Sequence, residues 1–227
     1  GFDTCAMTDH GVLYGAIDFY KTAKKYGIKP ILGCELYVAP RTRHDKVPHI
    51  DDDQYHLVLL AKDEIGYKNL VRLSSIGFTE GYYYKPRVDT EVLGMWNEGL
   101  IALSACLSGE IPSLLVKGDY EGAKRKASEL KDIYGQGNFF LEVQENGIPR
   151  QYEVNKGLVK LSKELDIPVV ATNDVHYISR EDAKTHDVLL CVQTGKTVGD
   201  QDRLRFPNDT FYFKSTDEMK AAFKDIP

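Results

Sequence analysis

Val169-Val170-Ala171-Thr172-Asn173-Asp174-Val175-His176 is the stretch that decides how this chain reads. An apolar run of β type ends in two metal-competent side chains spaced i, i+2. In a strand those positions point to the same side, so Asp174 and His176 converge on one spot at the strand's carboxyl end. A second run, Cys5-Ala6-Met7-Thr8-Asp9-His10, ends in the same way and leads into a helix-like segment. Two such endings predict a metal site at one rim of an α/β barrel.

Outward from these runs the same grammar repeats. Strand-like stretches occur at 2–8, 31–39, 56–61, 100–106, 139–144 and 168–176. Most are continuously apolar, which suits strands buried on both faces in a parallel sheet. Helical spacing of apolar residues falls at 13–26, with Gly27 as its stop, and at 119–134, from Asp119 as N-cap to Gly135. It recurs at 151–165 and 181–192. This alternation predicts an α/β sheet or barrel over residues 1–194. Residues 195–227 read as an appended segment, in which Ser215 and Glu218 have the spacing of a helical capping box. Two turn-rich tracts interrupt the order, at 41–55 and 81–89. The first reads as a surface insertion whose acidic run, Asp51-Asp52-Asp53, is solvated.

The chain has 227 residues, enough for one domain with a full core. No apolar run approaches the roughly 20 residues that span a bilayer, and no signal peptide is visible; a cytoplasmic location is the expectation. The four cysteines, Cys5, Cys34, Cys106 and Cys191, form no CxxC pair, so neither a zinc finger nor a disulfide framework is indicated. A formal net charge of −5 argues against a general basic surface for nucleic acid. Cations held at a site would have to supply much of the attraction for phosphate.

At strand ends the metal-competent residues are Asp9 and His10, Glu35, His56, Cys106, Glu142, and Asp174 with His176. His56 is the odd one, since it starts its apolar run instead of ending it. Glu35, a carboxylate inside an apolar strand, needs a partner or a metal. Glu142 is expected to pair with a basic residue and is left out of the ligand set. His44 and His49 read as solvated, and His186 as a surface or helix-packing residue.

Thr8-Asp9-His10-Gly11, Gly33-Cys34-Glu35-Leu36-Tyr37, His56-Leu57-Val58-Leu59-Leu60, Ser104-Ala105-Cys106-Leu107-Ser108-Gly109 and Thr172-Asn173-Asp174-Val175-His176-Tyr177 together resemble the PHP (polymerase and histidinol phosphatase) domain. The resemblance is to the form found in bacterial DNA polymerase III alpha subunits, and includes Tyr83-Tyr84-Lys85-Pro86-Arg87, Gln193-Thr194-Gly195-Lys196 and Phe211-Tyr212-Phe213-Lys214-Ser215. It implies a distorted, TIM-like seven-stranded β/α barrel with up to three zinc or manganese ions at one rim. His10, Glu35, His56, Cys106, Asp174 and His176 stand at six of the family's nine ligand positions. Asp9 stands beside them, where it would orient His10; with His10, Asp174 and His176 it makes up the catalytic set the resemblance implies. The family opens with a strand ending in His-x-His, and this chain begins after that motif. The first strand and three ligands are therefore expected to be missing, leaving an incomplete site and two unpaired sheet edges.

The function the resemblance implies is a metal-dependent phosphoesterase of 3′–5′ exonuclease type within a replicative polymerase, acting on a DNA 3′ end or on pyrophosphate. Lys85, Arg87, Arg203 and Arg205 are the candidates for contact with the nucleic-acid backbone. The implied partners are the rest of the alpha subunit, the DNA 3′ end and other replisome subunits, including a separate exonuclease subunit; no membrane is implied. Two alternatives are an inactive structural or docking module, and a free-standing phosphatase acting on a small phosphate ester.

Overall fold

The computed structural model of the protein describes residues 2–226. Its strands are β1 (Thr4–His10), β2 (Lys29–Val38), β3 (Tyr55–Ala61), β4 (Arg87–Val88), β5 (Leu100–Leu103), β6 (Phe139–Gln144) and β7 (Val169–Thr172). Its helices are α1 (Ala16–Lys25), α2 (Glu64–Thr79), α3 (Thr90–Met95), α4 (Glu110–Val116), α5 (Tyr120–Tyr134), α6 (Pro149–Leu165), α7 (Ala183–Thr194) and α8 (Thr216–Ala222). One curled sheet runs in the order β1-β2-β3-β5-β6-β7, with the two-residue β4 paired to β2. Among the described residues β1 and β7 each pair on one side only, so the sheet forms an open half-barrel.

The sheet is mixed, where continuous apolar runs pointed to a parallel one. β3 is antiparallel to both β2 and β5, and the remaining pairs are parallel. No helix lies between β2 and β3, so the chain returns by a loop and must run the other way. The reversal also explains His56. In an antiparallel strand the first residue lies at the rim where its neighbours end, and His56 pairs with Tyr37 near the end of β2.

Alternation divides the strands between two faces. Cys34, Leu36 and Val38 of β2, Leu57 and Leu59 of β3, and Phe139, Leu141 and Val143 of β6 share one apolar core with Leu70, Leu73, Ala127, Leu158 and Leu161 of the helices. Each fully buried leucine or phenylalanine there contributes roughly 1.5–3 kcal/mol. The intervening residues, among them Glu35, His56 and Glu142, belong to the opposite, concave face. There the apolar packing shrinks to a small cluster around Val58, Leu103 and Ala105. The runs looked continuous because this inner face is itself partly apolar.

Helices α5, α6 and α8 fall where the spacing placed them, α5 beginning at an Asp119 cap that accepts from Gly122 N and α8 at a complete Ser215–Glu218 capping box. Helix α2 escaped the pattern because Gly66 and Gly77 interrupt it. A Cβ on Gly66 would lie 1.8 Å from the carbonyl oxygen of Gly99, so the helix needs glycine to approach that turn. The 41–55 tract is less of a surface insertion than expected. Asp51 is fully buried: Arg41 donates to both its oxygens, at 2.8 and 2.6 Å, and Val47 N donates at 2.8 Å. Asp52 and Asp53 are exposed.

Candidate metal centre

The rim gathers its polar side chains from three strands and two loops. His10 ends β1, directly across from Glu35 of β2. Gly11 N then donates to Glu35 O at 2.8 Å, and a φ of +69° at Gly11 turns the chain toward α1. His56 opens β3, and its backbone N–H donates to Ser108 O at 3.0 Å, tying it to the loop after β5. That loop carries Cys106, whose Sγ lies 3.6 Å from His56 Nδ1. Asp174 and His176 follow β7.

Glu35 is the centre of the cluster. Its Oε1 lies 3.2 Å from His10 Nδ1 and in close contact with His56 Nδ1. It is buried, and the two ring nitrogens are its polar neighbours, neither aligned as a regular hydrogen-bond donor. Burial by itself would push the Glu35 carboxyl up; the two imidazoles outweigh it and hold the group down at about 2. Ligand atoms of Glu35, His56 and Cys106 all lie within 4.8 Å of one another. A buried carboxylate oxygen, an imidazole nitrogen and a sulfur converging on one point fit a shared cation.

Asp174 and His176 close the cluster from the other end of the sheet. The His10 and His176 rings are 5.8 Å apart, and those of His10 and His56 6.1 Å. His176 Nδ1 lies 2.7 Å from the backbone oxygen of Asp174. A carbonyl can only accept, so Nδ1 carries the proton and Nε2 keeps the lone pair a metal would use. Burial raises the Asp174 carboxyl, and burial with nearby Asp174 and Glu35 drives the Cys106 thiol far up. A positive ion would reverse both shifts.

Backbone strain collects at this rim. Ala105, just before Cys106, has φ +63°; Asp174 has φ +49°; Tyr84, just before Lys85, has φ +59°. Left-handed backbone at residues other than glycine costs energy, and it persists where surroundings over-determine it. For Asp174 the surroundings are visible. Asn173 Nδ2 donates to Thr210 O at 3.0 Å and to Tyr212 O at 2.7 Å, and its Oδ1 accepts from Lys214 Nζ at 2.6 Å. His176 N donates to Phe211 O at 2.9 Å. The segment 206–214 is thus a strap across the loop that bears Asp174 and His176.

Several expected roles change. Asp9 does not orient His10: adjacent strand residues face opposite ways, and the Asp9 carboxylate accepts from Gly15 N at 3.1 Å, fixing the turn before α1. Arg87 cannot meet DNA. It is fully buried and donates to the backbone oxygens of Gly81, Asp51 and Asp45 at 3.1, 3.0 and 2.8 Å. Arg203 is committed to Asp187 through two bonds of 2.6 and 2.8 Å. Lys85 lies beside the cluster, its Nζ 5.5 Å from the centre of the Tyr37 ring, and Arg205 is exposed. Glu142 has no basic partner; it is buried, accepts from Gln144 Nε2 at 2.9 Å and from the Thr172 hydroxyl, and leaves Oε2 unpartnered. Burial pushes it up to about 7. Two residues of the rim carried no sequence signal: His186, whose ring centre is 5.6 Å from that of His176, and Phe206, at 4.7 Å. Only the fold brings a helix and the strap beside β7.

Residues 1–146 match the PHP domain family. This chain belongs to the PHP domain family. It is 48% identical over 223 residues to the DNA polymerase III subunit alpha of Borreliella burgdorferi, an alignment covering 98% of this chain and 19% of that protein. It is 46% identical over 228 residues to the same subunit from Treponema pallidum, covering 100% of this chain and 20% of that protein. The chain therefore spans about a fifth of the length of these relatives. Among solved structures it is similar to an amidohydrolase from Chromobacterium violaceum, with 12% identity, a TM-score of 0.43 and 75% of each chain covered. No helix among the described residues is long and apolar enough to cross a membrane.

Proposed function

We propose that the rim holds divalent cations through His10, Glu35, His56, Cys106, Asp174 and His176, and that the chain is the phosphoesterase module of a DNA polymerase III alpha subunit, cleaving a phosphoester at a DNA 3′ end. The observation that carries this reading is Glu35 Oε1, buried between two imidazole nitrogens and beside the Cys106 sulfur. The donor set is mixed. Thiolate and imidazole favour zinc, while the two carboxylates also suit manganese. When bound, such ions lower the pKa of a water and neutralise phosphate charge.

The protein's own part is placement. The β1–β2 ladder fixes His10 against Glu35, and the loop after β5 holds Cys106 beside His56. The Asp174 carbonyl fixes the His176 tautomer. Lys85, on a loop anchored by the buried Arg87, supplies a positive charge next to the cluster for a phosphate oxygen. The relatives support the rest of an alpha subunit as a partner; the DNA end and other replisome proteins are proposed with it.

The test is metal content by elemental analysis of the intact protein, beside hydrolysis of a labelled single-stranded 3′ end. Bound zinc or manganese that falls in His56→Ala and Asp174→Ala, with loss of cleavage, supports the proposal. Metal content equal to that of the parent in both variants would leave the domain a structural module.

A further inference from the structure

Beside His176 the surface opens into a cleft of about 320 Å³, within the roughly 300–1,000 Å³ common for small-ligand sites. Its walls come from the loop after β7, from α7 and from the strap. We infer that this cleft is a nucleotide subsite, taking a base of single-stranded DNA against the aromatic wall formed by His186 and Phe206 and its phosphate on Lys184 and Arg205. The inference rests on the phosphoesterase reading for its purpose, but its geometry stands alone.

The aromatic part is ordered. The rings of His186 and Phe206 have centres 4.7 Å apart and lie at 79°, while Tyr177 and His186 are 5.4 Å apart at 46°. Phe206 is braced from behind by Phe211, at 4.5 Å. Base stacking on such rings is tolerant of sequence, as a strand-end site requires.

The charge pattern agrees. Asp187 is the one acidic side chain lining the cleft, and the Arg203 guanidinium neutralises it with two bonds. Lys184 and Arg205 are exposed, line the same cleft, and make no ion pair among the described residues. The cleft is thus a local positive patch on a chain whose formal net charge is −5. It joins the metal centre through the contacts of His176 with His186 and Phe206. A base stacked there lies against the rings that contact His176.

The test is photo-crosslinking of the intact protein with a single-stranded oligonucleotide carrying 4-thiothymidine at its 3′ end, in chelator so that no metal chemistry contributes. The expected result is adducts on the peptides containing Tyr177, His186 or Phe206. Their yield should fall about 10-fold in Lys184→Ala/Arg205→Ala and about 5-fold in Phe206→Leu, which keeps apolar bulk against His176 and removes the π face. Excess dTMP should compete, and the same concentration of inorganic phosphate should not. Adducts confined to other peptides, yields equal to the parent in both variants, or equal competition by phosphate would overturn the nucleotide assignment. Expected crosslinking without metal-dependent cleavage would keep the subsite and remove the phosphoesterase; cleavage unaffected by the cleft variants would do the reverse.

Discussion

The two ends of the rim are built differently. At one end His10, Glu35 and His56 sit in register on hydrogen-bonded strands, so the ladder itself sets their positions. At the other, Asp174 and His176 lie beyond the end of β7 on a loop whose geometry depends on Asn173 and the strap 206–214. The first arrangement is intrinsic to the sheet. The second is made by a distant part of the sequence, and can be loosened without touching a strand.

Four changes separate the two. The largest effect is expected at the strand-borne end, from Arg87→Ala. It would remove the donor from four backbone carbonyls, two of them in buried bonds, and leave a cavity, costing about 3–5 kcal/mol. Chemical denaturation measures this, and a loss under 1 kcal/mol would show that Arg87 is not the anchor of the 81–87 loop. Next, Glu35→Ala should lower metal affinity on the order of 100-fold, at the upper end of the 10–100-fold typical of residues that orient ligands. Titration with a chromogenic chelator reads it; an affinity within a few-fold of the parent would remove Glu35 from the centre.

Third, Asn173→Ala should act only at the loop-borne end. Its three hydrogen bonds are worth roughly 1–3 kcal/mol in total, and their loss should speed amide exchange at 174–178 and 206–214 while leaving β3 protected. Metal affinity should fall about 10-fold. Uniform exchange across both ends would mean that the rim is one cooperative unit. The smallest effect concerns pH. Burial raises Glu142 to about 7 from an ordinary value near 4.5. The raised group binds its proton more tightly in the folded state, so it favours folding below the ordinary value and that contribution is lost as pH rises toward 7. In chelator, Glu142→Gln should flatten this decline between pH 4.5 and 7; an unchanged slope would place the titration elsewhere.

Much of the strand-borne end was legible. The order of the longer strands and of helices α1, α5, α6 and α7 followed from apolar periodicity, though α2 and β4 did not, and Glu35 stood out as an acid within an apolar run. The direction of β3 did not follow, because a run of apolar residues carries no polarity. His56 at the head of its run was the one sign of reversal. Asp9 misled because residue type at a strand end does not say which face it takes. Arg87 and Arg203 misled because a basic residue in a polar tract looks solvated until its acceptors, backbone carbonyls and Asp187, are brought up by the fold. The loop-borne end was legible only as Asp174 and His176. Its support by Asn173, His186 and Phe206 depends on contacts 10 to 40 residues away in sequence, which no local pattern encodes.

Anomalous diffraction from crystals grown with manganese or zinc would locate the ion itself. A peak is expected at coordination distance, about 2.0–2.3 Å, from Glu35 Oε1, a His56 ring nitrogen and Cys106 Sγ. A difference map with no anomalous signal there, and with His56 instead donating a well-formed hydrogen bond to Glu35, would contradict the proposed cation site.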